Sequence, residues 1–161
     1  MSATRLNRIR IAPLRAADAE ELVGLLDEAY LRASLRADDV EQLRARFQRW
    51  ELRRSADWDE RWLNWIVRAH GDGRALGWVQ ATIVDGRALV AYATLATERR
   101  RGVAVEALGV MITELRRLHG VTRFEAHIEP RNLSSQRVAA AAGFARTDQS
   151  VGGEAVWTMT A

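Results

Sequence analysis

Three successive arginines stand where this sequence passes from a strand-like run into an apolar helix. The strand-like run covers residues 88–95, and Arg99, Arg100 and Arg101 precede Gly102 and the helix. The first backbone N–H groups of a helix have no partner within it, and that end carries partial positive charge. Arginine adds a planar guanidinium that suits phosphate oxygens. The turn is therefore predicted to bind an anion, a phosphate or a pyrophosphate.

The helix after the arginines is predicted from the spacing of its apolar residues. Val105, Leu108, Ile112 and Leu115 recur at intervals of three and four, which places them on one face. Gly120 can adopt the left-handed conformation that commonly ends a helix. One stripe of this helix is expected to lie on a core while its first turn faces the anion.

Hydrophobic periodicity and turn signals predict the remaining elements. Strands are expected at residues 8–11, 62–69, 75–84, 87–95, 121–128, 144–146 and 155–160, and further helices at 18–31, 39–53 and 133–142. Asp18 and Glu21 resemble a capping box at the start of the first helix. Asp85-Gly86 is a two-residue hairpin signal, and Pro13 should stop the first strand.

The order of these elements predicts the fold class. Three antiparallel strands precede the arginine turn, and a right-handed crossover through its helix makes strands 87–95 and 121–128 parallel neighbours. The fold is therefore α+β, or mixed α/β, with a mostly antiparallel central sheet that has helices on both faces. A ligand pocket is expected where the strand before the turn ends and the helix begins.

Composition excludes several classes of protein. The 161 residues suffice for one domain, residues 1–161, with a substantial core. There is no cysteine, and the three histidines lack metal-ligand spacing, so neither a disulfide framework nor a metal site is expected. No run reaches the length of a membrane span, which favours a soluble, cytoplasmic protein. All basic residues are arginine, so the net charge of +3 comes with a pI of about 10.4.

A second motif follows one helix and one strand after the arginines. Asn132, Ser135 and Val138 are spaced by three residues, and Gly143-Phe144 begins eleven residues after the asparagine. Together with the Arg99-x-x-Gly102-x-Ala104 pattern, this resembles the two signatures of the GCN5-related N-acetyltransferase (GNAT) family, in the family's order and spacing. Ser135 and the Val-Gln-Ala-Thr strand at 79–82 look most like the branch of ribosomal-protein N-terminal acetyltransferases.

The resemblance implies binding of acetyl-CoA, with residues 88–144 as the cofactor-binding core. Backbone N–H groups of the turn would hold the pyrophosphate, and main-chain groups of the preceding strand would bind the pantetheine. Asn132 and Ser135 would contact the cofactor from the other side of the splayed strands, and Arg131 and Arg137 would either reach its phosphates or be plain surface residues. The cofactor-binding positions so implied are Tyr92, Ala93, Thr94, Arg99, Arg100, Arg101, Gly102, Val103, Ala104, Val105, Asn132 and Ser135.

The acid that protonates the departing thiolate is not the usual one. In many members of the family it is a tyrosine seven residues after the asparagine, and that position here is Ala139. The related branch suggests Ser135 as the substitute, either as an acid or as a hydrogen-bond donor to the sulfur; the alternative is a residue that satisfies the start of a helix. Tyr92 is a further candidate, as an acid or as a wall of the site.

The base that deprotonates the amine is expected on the strand before the second motif. His127 stands five residues ahead of Asn132, a base position in some members of the family. Glu125, His127 and Glu129 share one strand face, so carboxylates would tune the histidine. A structural histidine is the alternative, with water removing the proton and Glu125 or Glu129 assisting.

The activity implied is direct transfer of an acetyl group from acetyl-CoA to a primary amine, of a small molecule or of a peptide N-terminus. Residues 31–60 are expected to shape the acceptor side, with Trp50 and Trp58 lining it, while Trp62, Trp65 and Trp78 read as core. Exposed sheet edges in such domains can support a homodimer. The alternatives are a catalytically weakened acyl-CoA-binding module, motivated by Ala139, and an arginine-rich nucleic-acid binder. The latter is disfavoured because acids are mixed with the arginines and no platform for stacking bases is apparent.

Overall fold

The computed structural model describes residues 8–26, 35–53 and 59–160 of the chain. These residues form seven strands and four α-helices, in the predicted order. The strands are β1 (Ile9–Pro13), β2 (Arg61–Ala69), β3 (Ala75–Val84), β4 (Arg87–Thr94), β5 (Arg123–Ile128), β6 (Ala145–Val151) and β7 (Glu154–Thr160). The helices are α1 (Asp18–Leu25), α2 (Val40–Glu51), α3 (Val103–His119) and α4 (Leu133–Ala142), with a 3-10 turn at Ala96–Glu98.

The strands form one sheet in the order β1-β2-β3-β4-β5-β7-β6. All neighbours are antiparallel except β4 and β5, which are parallel and are joined through α3. This confirms the predicted fold class and the predicted parallel pair. The β3–β4 hairpin turns at Asp85 and Gly86, both with positive φ, which is the two-residue turn that the sequence indicated.

Alternate residues of the strands supply two cores on opposite faces of the sheet. The first face, here called the α3 face, carries Val90 of β4 and Phe124 of β5 against the buried stripe of α3. The second, the α1 face, carries Ile66 and Trp78 against α1 and α2, whose inward residues include Phe47. Because successive strand side chains point to opposite faces, the face of each site residue follows from its position on the strand.

Helix α3 buries a stripe displaced from the one that the sequence predicted. Leu108, Ile112 and Leu115 are buried as expected, but Val105 is only half-buried. Val103, Ala107 and Met111 complete the inward stripe. Gly120 ends the helix in the left-handed conformation, and its N–H bonds the carbonyl of Leu115, as predicted.

The capping box predicted at the start of α1 is wrong. The residue before the helix is Ala17, which has no side-chain cap, and Asp18 accepts a hydrogen bond from the N–H of Arg15. Asp18 and Glu21 instead face Arg68 of β2, at 3.0 Å each. The carboxylates are therefore used to fasten α1 to the sheet, a tertiary role that competes with capping.

The sequence predicted longer ranges for α1 and α2 than the structure shows. The first helix was predicted to run to residue 31 and is observed to Leu25, while residues 27–34 lie outside the described part of the chain. The second was predicted over 39–53 and spans Val40–Glu51, with Asp39 as its N-cap through the N–H of Gln42. Among the described residues, none of the helices combines the length and the apolar character of a membrane span.

Candidate active site

Strands β4 and β5 separate beyond their first three residues. Their pairing covers only Arg87–Leu89 with Arg123–Glu125. From Val90 to Thr94, β4 pairs with β3 on one side, and no strand of the described chain pairs with its other side. This unpaired edge includes the three positions, Tyr92, Ala93 and Thr94, that were predicted to bind a cofactor through the main chain. An extended molecule can bind there as an added strand.

The arginine turn lies at the end of β4, between the 3-10 turn and α3. Arg100 and Gly102 adopt positive φ, 63° and 76°, immediately before the helix begins at Val103. The three arginines are exposed. Of the first-turn N–H groups, that of Glu106 bonds the carbonyl of Gly102. Those of Val103, Ala104 and Val105 precede it and have no intrahelical partner, so they are available to an anion.

A fourth arginine joins this turn from the other end of the chain. The guanidinium of Arg8 donates to the carbonyl of Arg101 at 3.1 Å and pairs with Glu106 at 3.3 Å. The Arg8 Nη2 atom lies 3.6 Å from where a Cβ would stand on Gly102. Sequence reasoning missed Arg8 because this contact spans more than ninety residues and no local pattern signals it. The arginine brings a guanidinium to the predicted pyrophosphate site, where Glu106 balances part of its charge.

Beneath the turn, Glu98 is a buried carboxylate that the sequence did not single out. It pairs with Arg74 of the β2–β3 turn at 3.4 Å and with Arg101 at 3.6 Å. These contacts fasten the turn to the sheet. Arg101 therefore has a structural ion pair with Glu98. Arg99 and Arg100 are the arginines of the motif that have no ion pair among the described residues.

On the α3 face, Tyr92 of β4 meets the start of α4. The Tyr92 hydroxyl donates to the main-chain carbonyl of Ser135 at 2.8 Å, and Ser135 Oγ donates to the Tyr92 hydroxyl at 3.0 Å. Asn132 is the N-cap of α4, since its Oδ1 accepts from the N–H of Ser135 at 3.0 Å. Burial raises the pKa of Tyr92, although the hydrogen bond from Ser135 opposes that shift. The phenol therefore stays protonated at neutral pH.

On the α1 face, Glu125 and His127 of β5 form a second pair. His127 Nε2 lies 2.5 Å from Glu125 Oε1, and Glu125 also faces Arg87 at 3.7 Å. Both members of the pair are about one-fifth exposed, so the site is accessible to a substrate. Glu129, the third residue expected on this face, is exposed beyond the end of β5.

The candidate acid and the candidate base thus lie on opposite faces of the sheet. Tyr92 continues the series of Ala88 and Val90, which pack on the α3 face, whereas Phe124 and Ala126 of β5 pack there and leave His127 on the α1 face. Among the described residues, the separation of β4 from β5 opens the sheet between the two faces at this level. In such an arrangement, two reactants can approach from opposite faces of the sheet and meet between β4 and β5.

Two cavities lie on the α1 face, away from the arginine turn where the sequence predicted a pocket. One, of about 230 Å³, lies between the end of β1 and the end of α2, and the other, of about 150 Å³, lies over β2 and β3. Trp50 and Asn64 line both. Trp65 and Trp78 are core residues as predicted, but Trp62 is half-buried in the second cavity, and Trp58 lies outside the described residues.

Two further predictions concern charge and metals. Arg131 and Arg137, which were predicted either to reach cofactor phosphates or to be surface residues, are exposed near the start of α4. Within the described ranges, no three histidine or acidic side chains gather as metal ligands would.

Comparison with known proteins identifies a family and a fold. The family model described as an acetyltransferase (GNAT) domain matches residues 8–145. No curated protein matches the sequence. Among solved structures, the ribosomal-protein-S5-alanine acetyltransferase of Vibrio fischeri has a TM-score of 0.70 at 17% identity and covers 99% of this chain and 97% of its own.

Two other solved structures were determined with ligands. RimJ of Mycobacterium smegmatis, in complex with CoA-disulfide, has a TM-score of 0.76 at 19% identity, over 95% of this chain and 82% of its own. The aminoglycoside acetyltransferase AAC(6')-Ib, in complex with coenzyme A, has a TM-score of 0.75 at 15% identity, over 94% of both chains. At such identities these likenesses establish the fold.

Proposed function

This chain belongs to the GNAT acetyltransferase family and is an acetyl-CoA-dependent acyltransferase; from that premise we propose that it transfers the acetyl group directly to a primary amine, of a small molecule or of a protein N-terminus. The observation that carries the proposal is the gap between β4 and β5, with the arginine turn at the end of β4 and a titratable pair on each face.

Acetyl-CoA fits the residues of the α3 face. Gly102 has no side chain between the turn and Arg8, and the free N–H groups of Val103, Ala104 and Val105 would hold the pyrophosphate with Arg99 and Arg100. The unpaired edge at Tyr92–Thr94 would bind the pantetheine amides. A main-chain N–H near Thr94 would polarise the thioester carbonyl, and the Asn132 amide group, whose oxygen is used as a cap, would donate through its nitrogen.

His127 would take the proton from the ammonium on the α1 face. When the Glu125 carboxylate accepts from Nε2–H, the neutral ring keeps an unprotonated Nδ1 that can serve as the base. The amine nitrogen then attacks the thioester carbon, forming the C–N bond as the C–S bond breaks. Replacement of His127 by alanine should lower turnover, and unchanged turnover would make the histidine structural.

Tyr92 would return a proton to the departing thiolate on the α3 face. The position of the tyrosine that is the usual acid is occupied by Ala139, which is buried on α4. Tyr92 reaches the same helix from β4. Its raised pKa keeps the phenol protonated, and the hydroxyl of Ser135 would orient it. No cysteine is present to carry the acetyl group, which favours direct transfer.

The proposal is tested by incubating the full chain with acetyl-CoA and a panel of amines: peptides, polyamines, aminoglycosides and amino acids. Release of CoA thiol that depends on an acceptor, with an N-acetylated product by mass spectrometry, is expected for at least one class. Ala139 favours one alternative, an acyl-CoA-binding module with weakened catalysis. Tight acetyl-CoA binding with no acceptor-dependent release across the panel would support that alternative and contradict the transferase.

A further inference from the structure

Glu106 is an acid in the first turn of α3, the helix whose start is proposed to hold a pyrophosphate. It stands three residues after Val103, where the helix begins, and its side chain is only 21% exposed. A carboxylate at this position stabilises the helix, because it faces the positive end. The same charge repels an anion that binds to that end, and partial burial limits the screening of this repulsion by water. An anion site at the arginine turn therefore requires that the charge of Glu106 be neutralised.

Arg8 occupies both oxygens of this carboxylate. Its main-chain N–H donates to Glu106 Oε1 at 3.0 Å, and its Nη2 donates to Oε2 at 3.3 Å. The main chain of Arg8 is fixed on its other side, because its carbonyl accepts from the N–H of His70 at 2.9 Å. The next side chain, that of Ile9, is buried in the core. The guanidinium is thus presented to Glu106 from an anchored stretch of backbone.

The same guanidinium also orients a peptide group of the arginine turn. Arg8 Nη2 donates to the carbonyl of Arg101 at 3.1 Å. In a trans peptide the C=O and the N–H point in opposite directions, so this bond directs the N–H of Gly102 away from Arg8. Arg100 has a positive φ of 63°, which is unfavourable for a residue with a side chain and persists only where surrounding contacts maintain it. The bond from Arg8 is such a contact.

The other acid of the turn is neutralised by different residues. Glu98 pairs with Arg74 at 3.4 Å and with Arg101 at 3.6 Å. Each of the two carboxylates therefore has an arginine supplied by a distant element, Arg74 from the β2–β3 turn and Arg8 from the start of β1. The positive charge of the turn is available to an anion only while both of these pairs are formed.

We propose that Arg8 is a positioning residue for acetyl-CoA, which acts through Glu106 and the arginine turn and is not itself a ligand of the phosphates. It neutralises the carboxylate that would repel the pyrophosphate, and it maintains the orientation of the Arg101–Gly102 peptide. The inference rests on the proposed function, in which this turn holds the pyrophosphate of the acetyl donor.

The experiment measures the Kd of acetyl-CoA by calorimetry for the native chain, Arg8→Ala, Glu106→Gln and the double variant. Arg8→Ala should raise Kd about 30-fold, because Glu106 loses its counter-charge beside the anion. The main-chain bond to Oε1 remains in this variant, so it should fold. Adding Glu106→Gln to Arg8→Ala removes the repelling charge and should recover about tenfold of the lost affinity.

The effect of Glu106→Gln on the native chain is the decisive comparison. There it should not tighten binding, because it releases the Arg8 side chain from the helix and weakens its hold on the turn. A substitution whose effect depends on the partner residue reveals a coupled pair. Equal tightening in both backgrounds would mean that the two charges act independently. No tightening in either would mean that Arg8 does not act through Glu106, and each of these results would overturn the proposal.

Two controls separate this role from general support of the fold. Arg10→Ala removes the same charge from an exposed residue of β1 that forms no ion pair with Glu106, and it should leave Kd within about threefold of the native value. S-acetylpantetheine carries the thioester without phosphates, so its Kd should be the same in Arg8→Ala as in the native chain. An equal loss for both ligands would overturn the proposal. If the four Kd values are as expected and no amine is acetylated, the transferase fails and the positioning role of Arg8 stands.

Discussion

Tyr92 of β4 and Ser135 of α4 are hydrogen-bonded to each other. Replacing each hydroxyl in turn shows which of the two protonates the thiolate. Tyr92→Phe removes the phenol that donates to the Ser135 carbonyl and accepts from Ser135 Oγ. If Tyr92 protonates the thiolate, kcat should fall by roughly 10²-fold while acetyl-CoA affinity changes little, because the lost group acts on the leaving sulfur. Stopped-flow turnover and calorimetric binding measure the two quantities.

The pH profile gives a second measure of the same residue. A catalytic acid must be protonated, and burial raises the pKa of Tyr92 above its ordinary value of 10.0. Activity should therefore persist through neutral pH and decline only on the alkaline side of that value in the native chain, while Tyr92→Phe loses this alkaline decline. Ser135→Ala is the comparison: a larger loss of kcat in that variant than in Tyr92→Phe would make the serine the acid.

His119 couples stability to pH at the end of α3. Its Nδ1 accepts from the guanidinium of Arg61 at 2.7 Å, and its pKa lies below 6.5 because of burial, then of Arg61 and Arg53. The unfolded chain binds this proton more readily than the folded one, so stability should be fully present above pH 6.5 and should decrease as pH falls below it. Urea unfolding between pH 5 and 8 should show this slope, and His119→Gln should flatten it. An equal slope in both proteins would place the titrating group elsewhere.

Sequence reasoning at the residue scale identified the groups that local motifs carry. The arginine turn, Asn132 and Ser135 lie in short patterns whose spacing is visible in one dimension, and the pairing of Glu125 with His127 follows from strand alternation. Arg8 was missed because its importance comes from contacts made across the fold, with residues 101 and 106, and it has no local signal.

At the scale of elements, β4 depends on a glycine in β3. A Cβ at Gly77 would stand 2.2 Å from the carbonyl oxygen of Ala93 and 3.0 Å from Thr94 Cα, both backbone atoms. Gly77→Ala must therefore displace the end of β4 that carries the unpaired edge. We expect a loss of stability in the upper part of the usual range for point mutants, about 2–4 kcal/mol, and weaker binding of acetyl-CoA.

A second glycine offers the matched control. Gly109 lies within α3 with open space where its Cβ would stand, so Gly109→Ala should stabilise the protein by about 0.5–1 kcal/mol through helix propensity. Thermal unfolding and acetyl-CoA titration of the two variants give the comparison. Native-like binding by Gly77→Ala would show that the end of β4 is not part of the cofactor site.

Element positions were predictable where a periodic run had clear stops, as for β3 and α4, whose observed bounds are those expected. The capping box at Asp18 failed because Arg68 offers both carboxylates a stronger partner on the sheet. The pocket expected where β4 ends and α3 begins stays a prediction, and the two cavities described lie on the α1 face. Periodicity reports which face of an element is buried, whereas cavities arise from the packing of elements distant in sequence.

The edge strands of the sheet are β1 and β6, and a second copy of the chain could pair with either of them. The side chains of β6 are mostly exposed, and its register with β7 is irregular between Arg146 and Ser150, a feature that discourages edge pairing. The homodimer stays a prediction, and sedimentation equilibrium of the native chain checks it. A dimer that dissociates when Ser150 is replaced by proline would locate the interface at β6.

Binding of acetyl-CoA should stabilise the entire domain, because the proposed site combines the start of α3, the end of β4 and the start of α4, which meet only in the folded chain. A ligand at 100 times its Kd adds about 2.7 kcal/mol to the free energy of unfolding. For a domain of this size, that raises Tm by roughly 5–10 °C. Gly102→Glu should abolish the rise, since a charged side chain at a positive-φ position would fill the anion site and face Arg8. The Gly102→Glu variant is also strained at its positive φ, which lowers its own Tm. The measured quantity is therefore the difference in Tm with and without acetyl-CoA. Gly109→Ala, as the control, should show the full difference. A native-sized rise in Gly102→Glu would mean that acetyl-CoA is held somewhere other than the arginine turn.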